Sequence, residues 1–343
     1  MACRIRIEPA VERSGGNLKT NTLGRTGLQI SELVFGGGFV GGILLHASDE
    51  VRREAIRRAL DGGINWIDTA ASYGNGQSEE VVGWLLSELP EPRRPQVSTK
   101  VAVDSSGGSY LDQIRHSLTA SLARLQMTRV PLLQLHNKLG DDENRLPVDE
   151  LIRPAGVLDA FDALKSDGVI DHAGFTALGD PAACLAVVET GRVDTAQVYY
   201  NAINPSAGID VPAAWYSENY QGLLHCCQAR NVGVLGIRVY AAGILATGEQ
   251  HGREIPVTSN ADYDSERRRA EAVMSALADV SGSDSQKALR FVLDQPAVNA
   301  AVIGLAELAH LDEALAVPDM PGLGSRSQQH LRELWASDFG QTA

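Results

Sequence analysis

From Leu33 onward, short apolar runs alternate with longer stretches in which apolar side chains recur every three or four positions, the pattern of buried strands joined by amphipathic helices. The runs predict strands at Leu33–Gly37, Asn65–Thr69, Gln96–Val101, Leu132–Asn137, His172–Ala177, Thr195–Asn201, Val232–Tyr240 and Asn299–Gly304. Between them, helical periodicity predicts Asp49–Leu60, Ser78–Leu89, Leu111–Leu125, Val157–Lys165, Pro181–Glu189, Tyr220–Ala229, Ser285–Leu293 and Leu308–Leu315. Ser48 and Asp180 are start signals, and Gly62–Gly63 and Gly168 are stop signals. Eight strands of this kind close a (β/α)₈ TIM barrel. Two further helices are expected, Glu266–Asp279 after the seventh strand and Arg326–Asp338 as a C-terminal helix outside the barrel.

A length of 343 residues suits either two ordinary domains or one large barrel. No Pro/Gly/Ser-rich linker parts the chain, so the reading is a polar leader over 1–20 followed by one domain over 21–343. The net charge of −13 argues against a surface for nucleic acid or anionic lipid. There is no apolar run of about 18 residues, and Arg4, Arg6 and Glu8 interrupt the N-terminus. A soluble, cytoplasmic protein is the expectation. Cys3, Cys184, Cys226 and Cys227 are too few for a disulfide framework, and neighbouring side chains in His225-Cys226-Cys227 diverge on a helix, so no metal site is expected.

Four polar residues fall at or just after successive strand ends, the face that carries the active site in such barrels: Asp68, Tyr73, Lys100 and His136. A phenol is a poor acid at neutral pH, but a neighbouring ammonium favours the phenolate, and a carboxylate holds that ammonium charged and in place. Tyr73, Lys100 and Asp68 fit those three roles. A neutral His136 imidazole would orient a substrate carbonyl while Tyr73 protonates its oxygen.

With Leu23-Gly24-Arg25-Thr26-Gly27-Leu28, Ile30-Ser31, Asp68-Thr69-Ala70-Ala71-Ser72-Tyr73-Gly74 and this tetrad, the chain resembles the aldo-keto reductase family over about Leu23 to Leu315. The resemblance implies carbonyl–alcohol interconversion with NAD(H) or NADP(H), and a hairpin over Leu23–Ile30 closing the barrel bottom. It implies that Gln197 and Thr176 hold the nicotinamide carboxamide, although Ala177 stands where the family has an amide. Gly36, Gly37, Gly38 and Asp68 border the same site. The family's aromatic-Ser-Pro-Leu segment is Ile237-Arg238-Val239-Tyr240 here, with Ile237 packing in place of the stacked ring. Arg238 has two open readings, a pyrophosphate contact or a pairing with a loop carboxylate. The eighth-strand region runs through Ile303, Gly304 and Leu305 to Glu307 and His310. There Glu307 would repel a 2′-phosphate and accept from a ribose hydroxyl, which favours NAD(H).

Rim loops set the substrate in such barrels, here Lys138–Pro147, Pro205–Tyr220, Ala241–Asp264 and the tail. Phe39, Trp215, Tyr216, Tyr220, Tyr240 and Trp335 are candidate walls, and Asn137, Asn201 and Arg238 candidate hydroxyl ligands. A small carbonyl or alcohol, such as a sugar, is the expected substrate. The default for Arg267-Arg268-Arg269 is a solvated helix face. Two rivals remain: a non-catalytic nicotinamide-sensing subunit on the same fold, and a two-domain Rossmann dehydrogenase using Gly36-Gly37-Gly38-Phe39-Val40-Gly41 as its phosphate loop.

Overall fold

The computed structural model describes residues 18–248, 252 and 262–340. Its strands are β1 (Thr20–Thr22), β2 (Gln29–Ser31), β3 (Leu33–Gly36), β4 (Trp66–Asp68), β5 (Gln96–Val101), β6 (Val130–Leu135), β7 (Ile170–Ala177), β8 (Thr195–Tyr199), β9 (Gly233–Ile237) and β10 (Ala300–Gly304). From β3 to β10 each strand pairs parallel with the next, and β10 returns to β3, closing the TIM barrel. Helices on the outside and side chains on the inside cover both faces of each strand. That is why β6 is buried along its whole length and reads as an almost unbroken apolar run. The closed barrel overturns the Rossmann rival. After Gly36–Gly41 the chain makes only the short helix Ile43–His46, so no long helix opens on that glycine loop.

β1 and β2 form the expected hairpin, with Asn21 opposite Ile30. Its strands lie at the flanks of the expected segment, because Gly24–Thr26 winds into a 3₁₀ turn that ends at left-handed Gly27. Leu23 and Ile30 then pack with Trp66, Leu132 and Leu235 beneath the barrel. The hairpin takes in Thr20; residues 1–17 lie outside the described residues, as does half of the 241–264 loop.

Helix limits follow the caps. Ser48 accepts from the Val51 amide, and Ser283 with Gln286 forms a capping box on Asp284–Leu293. The helix expected from Tyr220 begins at Leu223, since Gly222 is left-handed and Tyr220 is pinned by its amide to Ser206 Oγ. Asp262 caps Tyr263–Ala276, which shifts the expected Glu266–Asp279 helix towards the N-terminus.

The solvated reading of the arginine triplet holds for Arg267, which pairs with Glu271, and fails for Arg269. Arg269 is buried, pairs with Asp338 at 2.7 Å, and lies 3.5 Å from the Tyr216 ring centroid and 4.8 Å from that of Phe339. It ties the end of the chain to the 205–220 loop. The outer helix Ser325–Ala336 is anchored nearby, where Trp335 Nε1 donates to the Ala202 carbonyl at 2.9 Å. Among the described residues no helix is long and apolar enough to cross a membrane, and no group of His, Cys, Asp and Glu is arranged to hold a metal ion.

Candidate active site

The strand register brings three side chains to one rim: Asp68 closes β4, Lys100 is the last residue but one of β5, and His136 follows β6. Tyr73 sits beyond β4 in a tight turn in which Gly74, Asn75 and Gly76 are all left-handed and the Tyr73 amide donates to Ala70 O. This turn folds the phenol back over β5.

Lys100 is buried and uses its ammonium three ways, donating to Asp68 Oδ2 at 2.5 Å, Thr69 O at 2.8 Å and Tyr73 OH at 3.2 Å. Burial opposes its charge, yet Asp68 and then Tyr73 outweigh burial and hold it above its ordinary pKa. The phenol therefore faces a permanent cation. His136 meets Tyr73 edge-on, with ring centroids 5.7 Å apart, and its Nδ1 lies 3.2 Å from Ser72 Oγ, leaving Nε2 for a ligand. Burial first, and the Lys100 charge second, push the imidazole down to about 4, so it is neutral at pH 7.

This depressed value carries a stability signature. An unfolded imidazole takes up its proton near 6.5 and the folded one only near 4, so stability is full above that window and falls as pH drops through it. Between about pH 7 and pH 5 the wild type should lose about 2 kcal/mol more than His136→Gln in urea denaturation. Equal losses in the two proteins would refute the buried neutral imidazole.

The structure sorts the remaining expected residues. Gln197 on β8 donates its amide to Asp68 Oδ1 at 2.8 Å, and its neighbour across the ladder, Thr176 on β7, is buried with Oγ1 unpartnered by protein. Gly38 faces the Tyr73 ring, but Gly36 and Gly37 do not open on the mouth: a Cβ there would stand 2.6 Å from Ile303 O and 2.7 Å from Ser78 Oγ. Their missing side chains serve close packing. Val239, Ile303 and Leu305 are core residues, at most 1% exposed. Ile237 ends β9 half-buried, with Tyr240 beyond it; Gly304, which ends β10, is exposed, as are Glu307 and His310 after it. His310 Nδ1 accepts from the Ala306 amide at 3.3 Å.

Arg238 leaves β9 in a left-handed conformation, with its carbonyl held by Asn201 Nδ2 at 3.0 Å. Burial lowers its guanidinium, opposed by Tyr199, Tyr73 and Glu266. Asn201 and Asn137 bond backbone groups of 203–204 and Arg238 and of Val103, respectively. Among the candidate walls, Trp215, Tyr220 and Trp335 are core residues, whereas Phe39 is exposed.

Sequence reading passed over Ser98 and Gln134, both fully buried, which also bond Asp68 Oδ1. The signal was available: each lies two positions before a rim residue, hence on the same inward face.

Comparison with known proteins gives a consistent result. The sequence model described as "Aldo/keto reductase family" matches residues 32–335. Over 327 residues the chain is 26% identical to L-galactose dehydrogenase of Arabidopsis thaliana, covering 93% of this chain and 94% of that protein. The holo form of an aldo-keto reductase from Bacillus halodurans superposes with a TM-score of 0.71 at 22% identity, covering 94% of this chain and 97% of the other. An aldo-keto reductase from Klebsiella pneumoniae in complex with NADPH does so with a TM-score of 0.67 at 23% identity, over 93% and 95%.

Proposed function

The chain belongs to the aldo/keto reductase family, and we propose that it interconverts a carbonyl and an alcohol with Tyr73 as the general acid and base. The observation that carries this reading is the Lys100 ammonium, shared between Asp68 and the Tyr73 hydroxyl. In the reductive direction, His136 Nε2 and the Tyr73 hydroxyl hold the substrate oxygen, and Tyr73 delivers its proton there. Lys100 steadies the phenolate that remains, and Asp68 keeps Lys100 from moving. In the oxidative direction the same phenolate takes the alcohol proton.

The residues fit a nicotinamide dinucleotide, which supplies the hydride when bound. Thr176 Oγ1 is a buried hydroxyl without a protein partner, next to Gln197 and across the barrel mouth from Gly38. Ile237 would pack against the ring face, and the exposed turn from Gly304 to His310 would meet the adenosine end. The exposed Glu307 disfavours a 2′-phosphate, so NAD(H) is the proposed cofactor. A fluorescence titration should give tighter binding of NADH than NADPH; preference for NADPH by about tenfold, or about 1.4 kcal/mol, would overturn this choice.

For the substrate we propose a sugar or another polyhydroxylated aldehyde, lactol or ketone. Arg238, the first residue after β9, offers several donors at the strand-end face of the barrel, and similarity to L-galactose dehydrogenase runs nearly the whole length of both chains. The test is a turnover screen of sugars and simple carbonyl compounds with both dinucleotides. Tight dinucleotide binding without turnover of any of them would favour a sensing subunit instead.

A further inference from the structure

The two oxygens of Asp68 have unequal surroundings. Oδ2 meets Lys100 Nζ at 2.5 Å, whereas Oδ1 accepts from Ser98 Oγ at 2.7 Å, Gln197 Nε2 at 2.8 Å and Gln134 Nε2 at 3.1 Å. Ser98 Oγ itself accepts from Trp66 Nε1 at 3.0 Å. A carboxylate oxygen has two lone pairs, so Ser98 and Gln197 already engage Oδ1, and Gln134 adds a third, longer bond from another strand that braces the carboxylate plane. Trp66, Ser98 and Gln134 lie two residues before Asp68, Lys100 and His136, so the period of the strand sets them as a layer directly beneath the rim.

Gln134 is fully buried, which keeps it out of reach of substrate. Its Oε1 has no protein partner, so half of the amide is buried at a loss. A leucine would fill a similar volume without that loss, so stability does not account for a glutamine here. The site also keeps room for it: a Cβ at Gly174, the ladder neighbour of Gln134, would stand 3.3 Å from Gln134 Cγ and 2.1 Å from Thr195 Oγ1.

We propose that Gln134 is a positioning residue of the proton relay: its amide, the third donor on Asp68 Oδ1, stops the carboxylate from turning, so that Oδ2 stays on Lys100 and the ammonium stays within reach of Tyr73. The Lys100–Tyr73 bond, at 3.2 Å, is the longest of the three that Lys100 makes and the first to fail if the carboxylate turns. This inference rests on the reading of Tyr73 as the acid and base.

Two variants of the full chain test it. In Gln134→Leu, kcat should fall about tenfold or more while KM and the NADH dissociation constant stay within about twofold. Its Tm should be unchanged or higher, and its kcat–pH profile displaced. In Gln134→Glu, a protonated carboxyl can donate to Oδ1 as the amide does, and an ionised one cannot. Its kcat should therefore approach the parental value in acid and fall as pH rises, through an ionisation the parent lacks. A Leu variant with parental kcat and pH profile would overturn the proposal. So would one in which kcat, KM and Tm decline together, since that is the mark of a packing role. Parental turnover in Tyr73→Phe would instead remove the underlying reading, whatever the Gln134 variants do.

Discussion

Tyr73→Phe should bind dinucleotide as the parent does and lose kcat by roughly 10²–10⁴-fold, the range expected when a positioned general acid is removed. The substitution deletes one oxygen and keeps the ring. The edge contact with His136 and the approach of Lys100 Nζ to the ring face, 4.7 Å from its centroid, do not need the hydroxyl. Lys100 keeps Asp68 Oδ2 and Thr69 O as acceptors, so the neighbourhood stays folded. Fluorescence titration with NADH and steady-state turnover on the best substrate of the screen separate the two effects. Normal turnover in the Phe variant would end the proposed chemistry.

Lys100→Met should damage both activity and stability. The ammonium is the only cation bonded to Asp68 among the described residues, and both side chains are almost wholly buried. Removing it leaves an uncompensated carboxylate in the barrel, a change that costs about 3–5 kcal/mol in comparable buried pairs. Turnover should fall at least about 10²-fold, because the phenolate loses its counter-charge. The double variant Lys100→Met with Asp68→Asn should regain most of the stability and none of the turnover. Urea denaturation of the three proteins reads the first effect; a single Met variant as stable as the parent would contradict the buried pair.

The rim was legible because strands obey a short rule. Asp68, Lys100 and His136 fall near strand ends whatever the exact limits, and chemistry at the ends of parallel strands has one mouth to share. The failures have a common cause: sequence gives a residue's place along an element more surely than the direction it faces. Arg269 sits among charged neighbours on a helix that reads as solvated, yet the chain end brings Asp338 and Phe339 over it.

By itself, then, the sequence determined the barrel and the membership of its rim: eight apolar runs of strand length, and four polar residues placed after three of them. The tertiary structure decided who surrounds Asp68. Ser98, Gln134 and Gln197 come from positions 30, 66 and 129 residues away, and they converge only because each ladder is staggered, with Asp68 beside Ser98, Lys100 beside Gln134 and Thr176 beside Gln197. Stagger around a closed barrel is a property of the whole sheet. No local run of residues encodes it, so the carboxylate that anchors the site could be found in the chain while the ring of donors that holds it could not.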